Sequence, residues 1–89
     1  MTNRIDIPKR FWDLAIEDVE DMLQIRLKQK GFGALASTHE ILGVVQEEVY
    51  ELLLAVKDNN IQDVMKELED IAVACIVGIA SIKNGSMDW

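Results

Sequence analysis

The twelve residues from Ile71 to Ile82, IAVACIVGIASI, contain no charged side chain, and this run limits the possible folds more than any other part of the chain. A helix that is apolar on every side has to be buried on every side. A membrane span needs about 20 such residues, and this run follows directly on Lys66, Glu67, Glu69 and Asp70. The stretch is therefore expected in a protein core, with no membrane involved. It forms the second half of a helix predicted from about Ile61 to Ile82, whose first half, IQDVMKELED, is amphipathic. A chain of 89 residues hides only about two-thirds of the surface its unfolded form exposes, so subunit association is expected to cover what the chain itself cannot.

Two more helices precede this one. Pro8 is the only proline, and beyond it Phe11, Ala15, Val19, Met22 and Leu23 recur at three- and four-residue steps, which predicts a helix from about Lys9 to Lys30. The uncharged stretch Gly31 to Ser37, GFGALAS, reads as a loop, and Ser37 with Glu40 has the form of a capping box that opens a second helix. On that helix Ile41, Leu42, Val45, Val49, Leu52, Leu53 and Val56 fall in one arc, a core-facing stripe, while Tyr50 and Leu54 lie off it. It should run to about Lys57. The polar run Asp58, Asn59, Asn60 ends it, and Asn60 can cap the third helix with Asp63 in the first turn. So short a turn makes the second and third helices antiparallel neighbours. The fold class is all-α: a single domain, residues 1–89, built as a small bundle of three to four helices and completed by oligomerisation as a homodimer or homotetramer. The tail NGSMDW reads as frayed, with Trp89 free to dock on a neighbour.

Charge and cysteine content exclude several functions. Nine basic against sixteen acidic side chains leave a net charge of −7, which repels a phosphate backbone and argues against DNA or RNA as a partner. The single cysteine, Cys75, rules out an internal disulfide framework and a CxxC zinc module. Inside its apolar run it reads as a buried thiol. The start MTNRIDIPKR has no apolar signal-peptide region, so a cytoplasmic location is expected.

The acids are placed in a pattern. Glu47, Glu48 and Glu51 lie on the second helix, and Glu67, Glu69 and Asp70 on the third. Glu48 with Glu51, and Glu67 with Asp70, are three residues apart, so each pair projects from one side of its helix. Two such claws on helices about 8–10 Å apart can converge on a hard cation. The alternative is that they are solvated acids on exposed faces, as most helical Glu residues are. Against it, Glu48 lies beside the apolar arc next to Ile41 and Leu52, and Glu67 and Asp70 share a face with Ala74, Gly78 and Ser81, small residues that leave room for a ligand or a close helix. Convergent carboxylates raise one another's pKa, and a divalent cation removes that conflict. All-oxygen ligation selects Mg²⁺, with Mn²⁺ as a substitute.

At these residues the chain resembles a known family. EEVYEL, residues 47–52, and ELEDIAVA, residues 67–74, resemble the ExxE and ExxD motifs of the MazG-like all-α nucleoside triphosphate pyrophosphohydrolases, over about 45 residues from His39 to Lys83. The resemblance implies that Glu48, Glu51, Glu67 and Asp70 are magnesium ligands. It also implies cleavage of a nucleoside triphosphate between the α- and β-phosphates, giving a monophosphate and pyrophosphate, as a nucleotide-pool housecleaning activity. Glu47, next to the first claw, is the candidate for the carboxylate that takes the proton of the attacking water. Many members draw basic and amide side chains from a further segment. Here that role falls to the first helix, the Gly31 to Ser37 loop or another subunit.

Substrate contacts are sought among the remaining polar and aromatic groups. Arg26 and Lys30 share a sector of the first helix with Trp12, where cations could meet phosphates, although their stems could equally cover apolar surface. Trp12 could stack on a base or belong to the core. Lys83 could contact substrate or only satisfy the end of its helix. His39 reads as a surface residue. The alternative to the enzyme is a noncatalytic helical oligomerisation or nucleotide-binding module, in which the acids are solubilising.

Overall fold

Each helix boundary has a local chemical cause. The computed structural model describes residues 3–85 and 87 and contains α1 (Lys9–Lys30), α2 (Thr38–Lys57) and α3 (Ile61–Lys83), with no strand among the described residues. Pro8, at φ −57° and ψ 147°, sits just ahead of α1, and its carbonyl accepts the first turn's Phe11 N–H at 3.0 Å. α1 stops at Gly31, whose φ of 82° is costly for residues with a side chain. At the start of α2, Ser37 Oγ accepts from the Glu40 N–H at 3.1 Å, and Glu40 Oε1 accepts from the Ala36 N–H at 2.6 Å. The expected reciprocal cap is thus present, with the return bond made one residue earlier than in the usual box.

Three residues turn the chain between α2 and α3. Asn59 takes the left-handed conformation (φ 53°), its N–H donating to Val56 O, while the Asn60 N–H donates to Ala55 O. These two bonds make a Schellman motif, with asparagine in the position glycine usually fills. Asn60 also starts the next helix, its Oδ1 accepting from the Asp63 N–H at 3.1 Å. The hairpin that results is antiparallel, as its short turn requires.

α2 and α3 pack closely because the residues between them are small. A Cβ placed on Gly78 would lie 3.0 Å from Ile41 Cγ2, so a glycine there lets the two helices approach. Ala55, Val73, Ala74 and Val77 are the buried apolar residues. Ser81 is buried with them and ties the glycine loop down: its Oγ accepts from the Leu35 N–H at 2.9 Å and donates to Val77 O at 2.7 Å. α1 packs on α3 only, and its backbone does not approach that of α2.

Burial within the single chain is one-sided, and Cys75, expected to be buried, is exposed. The apolar run of α3 is buried on one side only: Val73, Ala74, Val77, Gly78 and Ser81 are covered, whereas Ile79, Ile82 and Cys75 are exposed. The α2 stripe divides in the same way, with Ile41, Val45 and Leu52 half-buried and Leu42, Val49, Leu53 and Val56 exposed. On α1 only Val19, Met22 and Leu23 of the predicted stripe are partly covered, and Trp12 is exposed, its Nε1–H donating to Ile7 O at 3.1 Å. The common reason is geometric: three helices give α3 neighbours on two sides and leave the first half of α1 with none. No helix among the described residues is long and apolar enough to cross a membrane. Trp89 lies outside the described residues.

Candidate metal centre

The close α2/α3 contact places Glu48 opposite Glu67 and Asp70. One carboxylate oxygen from each of the three lies within 4.8 Å of the others. Glu48 reaches this position because it shares the inner side of α2 with Ile41 and Ala55, each about two turns away on the same row. Glu67 and Asp70 come from the start of the row that continues through Ala74 and Gly78. Their side chains are largely covered, at 13% and 23% exposure.

The cluster is electrostatically unfavourable as it stands. Glu48 Oε2 and Glu67 Oε2 are shut off from solvent and have no hydrogen-bond partner. Burial pushes the Glu48 carboxyl above the usual carboxylate range, and the charges of Glu51, Asp70 and Glu67 push it further. Glu67 is also raised, first by burial and then by Glu51 and Asp70, with the Lys66 charge opposing them. Glu51, itself exposed, is thus close enough to act on both partners, but two ionised carboxylates share no proton and cannot satisfy one another. Lys66 is the only cation at the cluster among the described residues. Its Nζ lies 3.0 Å from Asp70 Oδ2 and 3.6 Å from Glu67 Oε1, and the Asp70 partnership raises its pKa. It leaves Glu48 uncompensated.

These features match what a hard divalent cation requires. The donors are all carboxylate oxygens, they converge, and two of them are desolvated with nothing to bind. Mg²⁺ takes oxygen ligands at about 2.0–2.1 Å and keeps several waters, so three or four protein carboxylates are sufficient.

Glu48 and Asp70 open onto a cavity of about 250 Å³ between the three helices. Met22, Ile25, Val44 and Val73 give it apolar wall, and Arg26, Gln29 and Lys30 of α1 line it too. Two of the expected substrate residues, Arg26 and Lys30, therefore line the same cavity as Glu48 and Asp70. Trp12 and Lys83 do not line it, and Glu47 is exposed on α2 and takes no part in the charge interactions that shift Glu48 and Glu67. Sequence reasoning passed over Lys66 and Gln29. Lys66 is four residues before Asp70, a spacing that pairs opposite charges on a helix. Gln29 lies in the same turn as Arg26 and Lys30, and nothing in the sequence alone sets it apart.

Compared with models of protein families, with curated proteins and with solved structures, the chain matches none.

Proposed function

We propose that this chain is a Mg²⁺-dependent nucleoside triphosphate pyrophosphohydrolase that keeps the cytoplasmic nucleotide pool clean and works as a homo-oligomer. The observation that carries the reading is the pair of desolvated, unpartnered oxygens on Glu48 and Glu67, gathered with Asp70, where Glu48 and Asp70 line a cavity that Arg26 and Lys30 also line. Solubilising acids would sit in water with their oxygens hydrated.

In this reading Glu48, Glu67 and Asp70, with Glu51 beside them, hold the cation, and Mn²⁺ can replace Mg²⁺. When bound, the cation supplies Lewis-acid polarisation of the phosphoryl oxygens and a more acidic water. Arg26 and Lys30, which line the same cavity as Glu48 and Asp70, would bind the triphosphate oxygens. The apolar walls exclude bulk water and receive the nucleoside. Water adds across the α–β phosphoanhydride, which breaks to give a nucleoside monophosphate and pyrophosphate. Glu47, the exposed acid next to the claw, takes the proton that the water loses.

The test is pyrophosphate release from a panel of ribo- and deoxyribonucleoside triphosphates, with Mg²⁺, Mn²⁺ or EDTA, for the wild type beside Glu67→Gln and Asp70→Asn. Release that needs the cation and is lost in both variants is the expected result. No release from any nucleotide, with both variants folded as the wild type, would overturn the enzyme reading and leave a binding or association module.

A further inference from the structure

A second cavity, of about 400 Å³, lies between the last turns of α1, the glycine loop and the last turns of α3. Leu23 and Leu27, one turn apart on α1, line it with Ile76 and Ala80, one turn apart on α3, and with Phe32 of the loop. Room is left because Gly33, Ala34 and Ala80 have too little side chain to fill it. Its size falls among small-molecule sites, which span about 300–1,000 Å³ and are mostly apolar with a few polar groups. None of the carboxylates of the metal centre lines it.

Arg26 is the one charged residue that lines this cavity, in a chain whose net charge is −7. It is half-buried, and it makes no hydrogen bond or ion pair among the described residues. A cation drawn partly out of water without a counter-charge is unfavourable. The polar groups around it offer little, since Ser81 Oγ is committed to the Leu35 N–H and to Val77 O, and Asn84 already has a partner.

We propose that this second cavity binds a small monocarboxylate with an apolar body, the carboxylate on the Arg26 guanidinium and the hydrocarbon against Leu23, Leu27, Ile76 and Phe32. The site does not rest on the hydrolase reading. One guanidinium neutralises one negative charge, and its planar fork matches the two oxygens of a carboxylate. A phosphate ester brings more charge than one arginine answers, and burying the surplus against leucines is costly. An uncharged apolar molecule leaves Arg26 unpaired, and a cation is repelled by it. The ends of α1 and α3 present negative partial charge nearby, which Lys28, Lys30 and Lys83 in their last turns offset. Phe32, 85% exposed in the loop, gains cover when hydrocarbon lies against it.

The experiment is titration of the isotope-labelled full chain with octanoate, and with octanol as its uncharged match, followed by amide chemical shifts. Arg26 lines the first cavity as well, so nucleotide is omitted and EDTA is present, which keeps the result independent of triphosphate or metal binding. Saturable shifts are expected at Leu23, Leu27, Phe32 and Ala80, with octanoate binding on the order of tenfold more tightly than octanol. Arg26→Met keeps an apolar stem and should lower octanoate to the affinity of octanol. Lys57→Gln, on α2, which does not line the cavity, should leave both affinities unchanged. Octanol binding as tightly as octanoate in the wild type overturns the proposal, and this comparison stands even if Arg26→Met does not fold. So do octanoate shifts that fall on the exposed residues of α2 instead of the cavity, and so does the absence of saturable shifts in the millimolar range.

Discussion

Glu48→Gln should stabilise the metal-free chain and, where the proposed cation site is real, weaken its response to Mg²⁺. The substitution keeps the shape of the side chain and deletes one of three like charges whose oxygens lie within 4.8 Å of one another. With water-like screening, two unit charges at that separation repel by about 1 kcal/mol, and by more where water is excluded. Glu48 faces these two and also Glu51, and Lys66 offsets part of the charge on Glu67 and Asp70, so the relief is about 1–2 kcal/mol. The new amide can also donate to Glu67 Oε2, which has no partner, adding on the order of 1 kcal/mol. For a chain of this size each kcal/mol moves Tm by about 4–8 °C. The assay is thermal unfolding in EDTA and in Mg²⁺ at one fixed protein concentration. In EDTA the variant melts above the wild type. Cation at a hundred times Kd stabilises the wild type by about 2.7 kcal/mol and the variant hardly at all, so it closes the gap between them. A Glu48→Gln chain that melts below the wild type in EDTA would refute the reasoning, since the Glu48 charge would then be favourably paired in the fold.

The raised carboxyls of Glu48 and Glu67 fix a pH dependence. A group whose acid form is favoured by folding binds more protons folded than unfolded, so this contribution to stability falls as pH rises from the ordinary carboxylate value through the raised one. Denaturant midpoints in EDTA should therefore be lower at neutral pH than in weak acid, and Mg²⁺ should narrow the difference; a midpoint rising steadily to neutrality in EDTA contradicts this. Gly78→Ala gains helix propensity of about 1 kcal/mol but forces a methyl to 3.0 Å from Ile41, where overpacking costs about 1–3 kcal/mol. A net loss of stability is expected, and a stabilised variant would show that the hairpin opens freely. Ser81→Ala strips the Leu35 N–H of its acceptor, and a loss of about 1–2 kcal/mol with faster hydrogen exchange in the Gly31 to Ser37 loop is expected; unchanged exchange would mean the loop is held elsewhere.

What could be read from the sequence was local. Pro8, Ser37, Asn60 and the polar run before it act on their own neighbours, so the three helix boundaries follow from them within a residue. The convergence of Glu48 with Glu67 and Asp70 was also legible, because a short turn fixes the pairing of α2 with α3 and the row of small residues on α3 fixes which sides meet. Burial was not legible in the same way. Periodicity shows that Leu53 or Ile79 prefers to leave water, but not whether a helix of the same chain is present to cover it. Cys75, read as buried, is exposed in the single chain for that reason. The position of α1 was equally out of reach, and with it the cavity and Gln29, since a seven-residue loop rich in glycine does not dictate where the helix before it lies.

The hairpin's two sides make opposite demands on one small core. Bringing Glu48 within reach of Glu67 and Asp70 needs a close helix contact, which Gly78 and Ala74 provide, but small side chains bury little apolar area. The same closeness gathers the charges that oppose it. The buried apolar residues are two alanines and two valines, a modest offset to uncompensated carboxylates. The larger side chains that would normally stabilise such a contact, Leu42, Leu53, Leu68 and Ile79, are on the outer face and contribute only when that face is covered. Association there and a cation at the carboxylates would relieve the same fold from opposite sides. Neither needs the other's residues, which is why Leu68→Glu and Glu48→Gln should separate assembly from metal binding.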